Sequence, residues 1–502
     1  MSFEIKLLAV VWCCFAMHSQ TVAQESATAF TRTLQVLAHL NVGDLTCPSK
    51  RSKKTFAPTP SEQEPMVIPD IEVVELELAE QGEESVTAPR PSPKADLQTS
   101  WLKAQPVDRP FRMALWGDSH MAIGIFSAEL NRTLGLGADQ IQSAFIPATM
   151  NRAGVRLPVR KTCVSDGWRH ESAHANSDGA AFPGPALVNL FSATPNESLA
   201  WDLRDSSGQA RHTRMMFLFQ QTVAPIRLAV SVDEGTEQEV VLNGPAGPGK
   251  LELVGDAALS VVRIRILDGN VRVHGIQLNS VGTTRLQFDL FGYPGATVAG
   301  WKLADLSYFK TWFSGIDLNL VVLAYGTNEG NQKPFNPVAY RGLLEKSVQQ
   351  LRNVFPNAAC LLIAPGDRGI LILKSQAEKI KRKGLRKGKT KGRASHKNTL
   401  KVSQAKHTNL DLFAYSRIHQ KIGDIQKEVA SQNGCQAWSM FEAMGGMKSS
   451  YTWARSEPKL MAPDLIHFTS KGYEQLARIL AHNIDWRTDL LWTNLSSGAP
   501  TQ

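Results

Sequence analysis

The chain has 502 residues, 43% of them hydrophobic and 20% charged, and its 55 Lys and Arg outnumber 46 Asp and Glu to give a formal net charge of +9. This length predicts two to four domains with sizeable cores. The composition excludes a polytopic membrane protein, and six cysteines are too few for a disulfide-dense scaffold. A basic balance is typical of proteins that bind nucleic acid or anionic surfaces, but its meaning depends on where the charge lies.

The N-terminus predicts export. Residues 1–23 hold a weakly basic start, an apolar run at 7–17 and then small and polar residues, with a cleavage site after Ala23. The run is too short to span a bilayer, and no later stretch reaches about 18 uninterrupted apolar residues. We therefore expect a cleaved signal peptide, a periplasmic or secreted protein, and no transmembrane span after cleavage. A retained N-terminal anchor is the alternative.

Residues 24–105 predict a linker that is partly disordered. The segment is rich in proline, and residues 62–84 hold nine acidic residues and no Lys or Arg. Such composition buries too little apolar surface to offset the entropy of ordering. A modest helical pattern covers only residues 27–40.

Residues 106–150 predict the first part of an α/β domain. A buried-strand pattern at 112–116 is followed by a turn at 117–120, and apolar residues at 121–134 recur with helical spacing. A strand, a turn and a helix in this order are the building unit of an α/β sheet.

The sequence pattern of residues 151–285 predicts an inserted all-β domain. Strand-length apolar runs separated by turn residues lie at 215–220, 226–232, 239–242, 251–254, 259–267 and 271–278. Short strands with tight turns are typical of a β-sandwich.

Residues 286–490 predict the second part of the α/β domain, and residues 491–502 a tail. Strands are predicted at 318–325 and 360–364, and helices at 338–354, 411–432 and 470–484.

Four cysteines remain after signal cleavage, and they allow three pairings in an oxidising compartment. We favour Cys360 with Cys435, because the first opens a predicted strand and the second directly precedes another strand.

One segment carries the positive charge. Residues 374–406 hold 13 Lys and Arg and one acidic residue, and the rest of the chain holds 42 basic and 45 acidic residues. Without apolar periodicity, this segment predicts an exposed insertion loop. It is a candidate contact for an anionic envelope polymer, and a solvated loop without a partner is the alternative. Nucleic acid is not expected, because the basic run lacks interleaved aromatic residues.

Ser119 is the first candidate catalytic residue. It follows a predicted buried strand and opens a predicted helix, whose N–H groups favour a developing oxyanion. The alternative is a helix N-cap, a role that serine fills well.

Asp464 and His467 are the second candidates. A carboxylate three residues before a histidine can hold the imidazole in one tautomer and leave its other nitrogen free to take a hydroxyl proton. A capping Asp with a surface His is the alternative.

Two further turns contain candidate oxyanion donors. In residues 325–329, which follow an apolar strand, Asn328 can donate its side-chain amide. In residues 291–297, the backbone N–H of Gly295 is a second donor. Each segment is alternatively an ordinary turn.

Together these motifs resemble the four conserved blocks of the SGNH hydrolases, also called GDSL-like esterases. The matching residues are Gly-Asp-Ser-His at 117–120, Gly295, Gly-Thr-Asn at 326–328, and Asp464 with His467, in the family's order. The resemblance covers the α/β portion of the chain and not the predicted sandwich.

The resemblance implies a three-layer α/β/α domain with a parallel sheet, interrupted here by the all-β sandwich. It implies a catalytic triad of Ser119, Asp464 and His467. It also implies an oxyanion hole formed by Ser119, Gly295 and Asn328, with no metal and no cofactor.

Two departures narrow the resemblance. His120 stands where the family commonly has Leu, and Glu329 stands where many members have Asp. Together with the export signal and the insertion, these departures make the chain similar to the peptidoglycan O-acetylesterases. The inserted sandwich of those proteins resembles a carbohydrate-binding module. The expected activity is removal of O-acetyl groups from a cell-envelope glycan through an acetyl-serine. The alternatives are a glycan O-acetyltransferase, an esterase of acetylated xylan-type polysaccharide, and a catalytically inactive wall-binding protein.

Overall fold

The structure, a computed structural model, describes residues 29–39, 42–48, 65–69, 101–174, 182–279, 281–331, 334–378 and 411–493. Its strands are β1 (Phe30–Val36), β2 (Met66–Val67), β3 (Gln105–Pro106), β4 (Phe111–Gly117), β5 (Ile141–Gln142), β6 (Phe145–Pro147), β7 (Lys161–Val164), β8 (Arg169–Ser172), β9 (Val188–Ser192), β10 (Ser198–Asp202), β11 (Arg214–Gln221), β12 (Ile226–Val232), β13 (Gln238–Leu242), β14 (Gly247–Gly255), β15 (Val261–Asp268), β16 (Val271–Leu278), β17 (Leu286–Gly292), β18 (Leu320–Ala324), β19 (Ala359–Ala364), β20 (Ile372–Leu373), β21 (Gln436–Ser439) and β22 (Trp492–Thr493). Its helices are α1 (Ser119–Ala122), α2 (Ile125–Arg132), α3 (Ala299–Leu303), α4 (Leu306–Lys310), α5 (Pro337–Val354), α6 (Ala414–Gln432), α7 (Met440–Met444), α8 (Ser449–Arg455), α9 (Ser470–Asn483) and α10 (Thr488–Leu491).

A parallel sheet forms the centre of the α/β part. Its strand order is β21-β19-β18-β4-β17-β5, and every neighbouring pair runs parallel. All five residues of β18 are buried, as expected for a strand covered on both faces. The strands predicted at 112–116, 318–325 and 360–364 are three of the four inner strands of this sheet, and β17 is the fourth.

Helices cover both faces of the parallel sheet. Alternate side chains of β4 enter two separate cores: Trp116 packs in the cluster that contains residues of α5 and α6, and Leu115 packs in the cluster that contains residues of α2 and α9. The arrangement has three layers, with helices on either side of the strands. The predicted α/β fold with a parallel sheet is therefore confirmed.

Two further sheets are formed by β1 and by the strands between β5 and β17 in sequence, and every pair in them is antiparallel except that of β1 with β14. One has the order β1-β14-β11-β16-β9-β8 with β6 also on β16, and the other has the order β13-β12-β15-β10-β7. Apolar side chains from both sheets, such as Phe217 and Val230, share one buried cluster. We call β1 and β6 to β16 the two-sheet unit. A carbohydrate-binding role for it stays a prediction.

The helix predicted for residues 27–40 is wrong. Phe30–Val36 form strand β1, which pairs in parallel with β14 of the two-sheet unit. Phe30, Leu34 and Val36 pack in the buried cluster of this unit, whereas the other four residues of β1 are exposed. Cys47 also forms a disulfide with Cys163 of β7, so part of the predicted linker is attached to this unit. The gain from strand pairing outweighs local helix propensity here.

Helix predictions in the second half are confirmed by α5, α6 and α9. The single helix predicted at 121–134 is instead broken into α1 and α2 at Gly124, whose φ is +73°. The predicted tail begins three residues too early, because Leu491 and Trp492 are buried and β22, which ends at Thr493, pairs with β3.

Other predictions fall wholly or largely on residues that the structure does not describe. The predicted signal peptide at 1–23 and most of the basic segment at 374–406 lie outside the described residues. Within the described ranges, no helix has the length and apolarity needed to cross a membrane.

The disulfide between Cys360 and Cys435 is present, as predicted. It joins β19 to the residue before β21 across a sequence separation of 75. We expect replacement of both cysteines by alanine to lower the free energy of unfolding by about 2–4 kcal/mol, because the bond restricts the unfolded chain. Urea unfolding of the oxidised protein measures this, with the reduced wild-type protein as the control. An unchanged unfolding midpoint would contradict the expectation.

Candidate active site

Ser119 lies at the carboxyl edge of the parallel sheet, directly after β4. Asp118 is the N-cap of α1, and its carboxylate accepts the N–H of His120 at 2.9 Å. Ser119 is therefore the first helical residue and not the cap, which leaves its hydroxyl free of the capping role. The side chain is half-buried, and Oγ lies 3.0 Å from Nε2 of His467.

Asp464 holds the imidazole of His467. Its Oδ2 lies 2.7 Å from Nδ1 of His467, and its Oδ1 accepts the backbone N–H groups of Ile466 and His467 at 3.0 Å each. Between them, Leu465 has a φ of +57° and a fully buried side chain, which fixes the turn against the core. A hydrogen-bonded chain thus runs from Ser119 through His467 to Asp464.

The hydrogen bonds set the ionisation of this pair. Partial burial opposes the charged form of Asp464, but the hydrogen bonds from His467 and the backbone outweigh it and lower the pKa of Asp464 to about 2. The hydrogen bond to Asp464 raises the pKa of His467 above its ordinary value. The imidazole is accordingly a stronger base than an isolated histidine, with its Nε2 directed at Ser119.

His120 packs beside the pair as a neutral ring. Its ring centroid lies 5.3 Å from that of His467, and its Nδ1 lies 3.2 Å from the hydroxyl of Tyr473. Burial lowers the pKa of His120 to about 3. The histidine that replaces the family's usual leucine therefore adds no positive charge at neutral pH.

The segments that carry Gly295 and Asn328 meet at the same edge of the sheet. The amide of Asn328 donates to the carbonyl of Ala296 at 2.8 Å, which orients that amide and leaves its second N–H available. Gly295 is exposed with a φ of +85°. The N–H of Tyr293 donates to the carbonyl of Gly117 at 3.0 Å, which attaches this turn to the segment that precedes Ser119.

Glu329 joins these two segments, a role that sequence reasoning missed. One carboxylate oxygen accepts the N–H of Val298 at 2.8 Å, and the other accepts the N–H of Gly326 at 3.0 Å. Burial raises the pKa of Glu329 to about 7. An acidic residue in the short turn that follows a wholly apolar strand was the available signal, because a buried carboxyl group needs hydrogen-bond donors.

Gly326 must be glycine in this arrangement. Its φ is +131°, and a Cβ atom there would lie 2.6 Å from Cδ of the Pro365 ring. We expect Gly326→Ala to lower the free energy of unfolding by about 2–3 kcal/mol through strain and this clash. Gly342→Ala is the matched control: nothing lies within 4 Å of a Cβ on this exposed face of α5, so stability should rise by up to about 1 kcal/mol. Equal urea midpoints for the two variants would contradict the expectation.

The residues of the predicted triad lie in an open site. The side chains of Asp464 and His467 are 45% and 42% exposed. A cavity of about 490 Å³ lies elsewhere, between α2, β17 and the two-sheet unit, where Ser127, Leu203 and Leu290 are among its lining residues. Within the described residues, no group of three or more His, Cys, Asp or Glu side chains could hold a metal ion.

Neither a protein-family model nor a curated protein matches the chain. Among solved structures, one described as a peptidoglycan O-acetylesterase in action is similar: it is 22% identical, the match covers 78% of this chain and 95% of that one, and the TM-score is 0.52. This chain adopts an SGNH-like fold. The resemblance that the four sequence blocks predict is thereby confirmed at the level of the fold.

Two other solved structures also match the chain. A lipase/acylhydrolase from Enterococcus faecalis is 16% identical, with 40% of this chain and 77% of that one covered and a TM-score of 0.24. A family two carbohydrate esterase from Clostridium thermocellum is 9% identical, with 64% and 98% covered and a TM-score of 0.24. Scores this low add nothing to the assignment of the fold.

Proposed function

We propose that this protein is an exported serine esterase that removes O-acetyl groups from a cell-envelope glycan, with peptidoglycan as its substrate. The observation that carries the proposal is the hydrogen-bonded chain of Ser119, His467 and Asp464 at the carboxyl edge of the parallel sheet. These three groups in this order form the arrangement that activates a serine hydroxyl. The solved peptidoglycan O-acetylesterase of similar fold supports the choice of substrate.

The reaction begins when His467 takes the proton of the Ser119 hydroxyl at Nε2. Oγ then attacks the acetyl carbonyl carbon, and Asp464 stabilises the imidazolium that forms. Collapse of the tetrahedral intermediate breaks the ester bond, and the sugar oxygen leaves with the proton from His467. Water activated by His467 then hydrolyses the acetyl-serine and releases acetate.

The oxyanion of each tetrahedral intermediate accepts hydrogen bonds from three groups in this proposal. They are the backbone N–H groups of Ser119 and Gly295 and the side-chain amide of Asn328. The hydrogen bond from Asn328 to Ala296 supports this role, because it holds the amide in one orientation before substrate binds.

Two features support a polymeric substrate. The exposed side chains of Asp464 and His467 leave the site accessible to a long chain rather than enclosing a small molecule. The two-sheet unit offers a second surface, which we propose binds carbohydrate.

We also propose that the basic segment at 374–406 contacts an anionic envelope polymer. Deletion of this segment should then weaken salt-dependent binding to the cell wall. Unchanged binding would favour a solvated loop without a partner.

Acetate release from O-acetylated peptidoglycan tests the proposed function. The mature protein should release acetate from this polymer faster than from acetylated xylan. Faster release from xylan would redirect the proposal to plant-type polysaccharide, and acetylation of an added oligosaccharide without free acetate would identify a transferase. Absence of any acetyl turnover would favour a wall-binding protein.

A further inference from the structure

His174 belongs to the two-sheet unit, and it contacts the segment that carries Gly295. The residue follows β8, and its Nδ1 donates to the backbone carbonyl of Thr297 at 2.6 Å. A carbonyl oxygen only accepts, so Nδ1 carries the proton of the neutral ring. Burial keeps the ring neutral by lowering the pKa of His174 to about 4. This hydrogen bond therefore joins the inserted unit to a segment of the proposed oxyanion hole.

Two neighbours in the α/β part fix the ring of His174. A Cβ atom on Gly300 would lie 2.4 Å from Nδ1 of His174, so glycine at this position leaves room for the imidazole. The ring of Tyr325 lies beside it, with a centroid distance of 5.7 Å. Because Tyr325 is three residues before Asn328, His174 lies against the segments of both Gly295 and Asn328.

The turn that carries Gly295 needs fixed ends to direct its N–H. The N–H of Ala296 donates to the carbonyl of Tyr293 at 3.0 Å, which closes a turn with Gly295 at a φ of +85°. Glycine adopts several backbone conformations at little cost, and each directs the neighbouring peptide N–H differently. The direction of the Gly295 N–H therefore depends on the contacts that hold the residues on either side of it.

Three consecutive residues at the end of this turn are each held by a side chain. Ala296 and Val298 are bonded to side chains of the α/β part. Thr297 lies between them, and His174 holds its carbonyl. The N–H of Gly300 also reaches this carbonyl, but at 3.4 Å, a long hydrogen bond. Loss of the imidazole would thus leave the middle of the three attachments weak.

We propose that His174 is a positioning residue of the proposed esterase site: it holds the turn so that the N–H of Gly295 meets the oxyanion. The inference rests on the proposed function and adds a role for the two-sheet unit, which then completes the site in addition to binding carbohydrate. His174 acts through the turn and not on the substrate. Its removal should therefore slow the chemical step and leave binding of a small ester nearly unchanged.

Substitution of His174 tests this role with 4-nitrophenyl acetate, which is too small to need a separate carbohydrate-binding surface. His174→Leu removes the donor and keeps most of the volume. We expect kcat to fall by about 10- to 100-fold and KM to change by less than about threefold, because a displaced oxyanion donor weakens mainly the transition state. His174→Asn keeps an N–H at the same number of bonds from the backbone as Nδ1, and should recover kcat to within about fivefold of wild type.

His212→Leu is the matched control within the same unit. Burial lowers the pKa of His212 as well, and its Nδ1 lies 3.0 Å from the carbonyl of Asn279. The same carbonyl accepts the side chain of Gln142 in β5, which pairs with the amino end of β17 at the opposite edge of the sheet. Both kcat and KM should stay at the wild-type values.

Gly300→Ala tests the same contact from the other side. The added methyl group should displace the imidazole, because the side chain of His174 can move while α3 keeps its helical backbone. We expect a loss of kcat similar to that of His174→Leu. In a His174→Ala background the methyl group has no ring to displace, so Gly300→Ala should cause no further loss.

Three results in folded protein would overturn the inference. They are a kcat of His174→Leu within about twofold of wild type, equal losses in His174→Leu and His174→Asn, or a rise in KM without a fall in kcat. If the wild-type protein does not hydrolyse the ester, the proposed function fails by itself. Amide hydrogen exchange of residues 293–301 then decides the role of His174 separately. His174→Leu should exchange at least about tenfold faster there than wild type and His212→Leu, and equal rates in the three proteins would count against it.

Discussion

Ser119→Ala should reduce kcat for hydrolysis of 4-nitrophenyl acetate by about 10⁴- to 10⁶-fold, because no other group replaces the nucleophile. The residual rate then comes from oxyanion stabilisation and substrate binding alone. Folding should be unaffected: Ser119 is half-buried, and Asp118, which caps α1, is retained. The free energy of unfolding should change by less than about 1 kcal/mol.

A second serine provides the control for this loss. Ser314 is exposed and precedes the amino end of β18, away from the edge that carries Ser119. Ser314→Ala removes the same oxygen and should hydrolyse the ester at the wild-type rate. Loss of less than tenfold in the folded Ser119→Ala protein would show that another residue is the nucleophile.

Asp464→Asn should reduce kcat by about 10³- to 10⁴-fold while leaving the fold intact. The carboxylate accepts from Nδ1 of His467, so the ring presents an unprotonated Nε2 to Ser119. An amide in its place can donate to Nδ1 and favour the opposite tautomer, with a proton on Nε2 directed at the serine. Asp317→Asn, at an exposed position before the amino end of β18, is the matched control.

The same substitution should shift the pH profile. His467 must be neutral to take the serine proton, and its hydrogen bond to Asp464 raises its pKa. Wild-type kcat/KM should therefore fall as the pH is lowered through an apparent pKa above 6.5, the ordinary value for histidine. In Asp464→Asn this limb should move to lower pH. A limb that stays at the wild-type pH would show that another group titrates.

The α/β fold and the proposed triad were accessible from the sequence because their signals are local. A wholly apolar strand such as β18 indicates burial on both faces, and the carboxyl ends of parallel strands share one edge. Residues that follow β4 and β18, including Ser119 and Asn328, therefore had to lie at that edge. The spacing of Asp464 and His467 predicted their mutual contact, and the structure brings them to Ser119.

Features that depend on distant partners could not be predicted in this way. Strand β1 is stabilised by pairing with β14, more than 200 residues away, and nothing in its own seven residues specifies that partner. The two N–H groups that Glu329 binds are likewise specified only when the chain is folded.

Detection of an acetyl group on Ser119 tests whether this serine is the nucleophile. The protein is mixed with O-acetylated peptidoglycan, quenched in acid within one turnover, and digested for mass spectrometry. We expect the peptide containing Ser119 to gain one acetyl group, and we expect no gain in Ser119→Ala or in a mixture with de-O-acetylated peptidoglycan. Release of acetate without any acetylated Ser119, at quench times shorter than one turnover, would contradict a covalent mechanism at this serine.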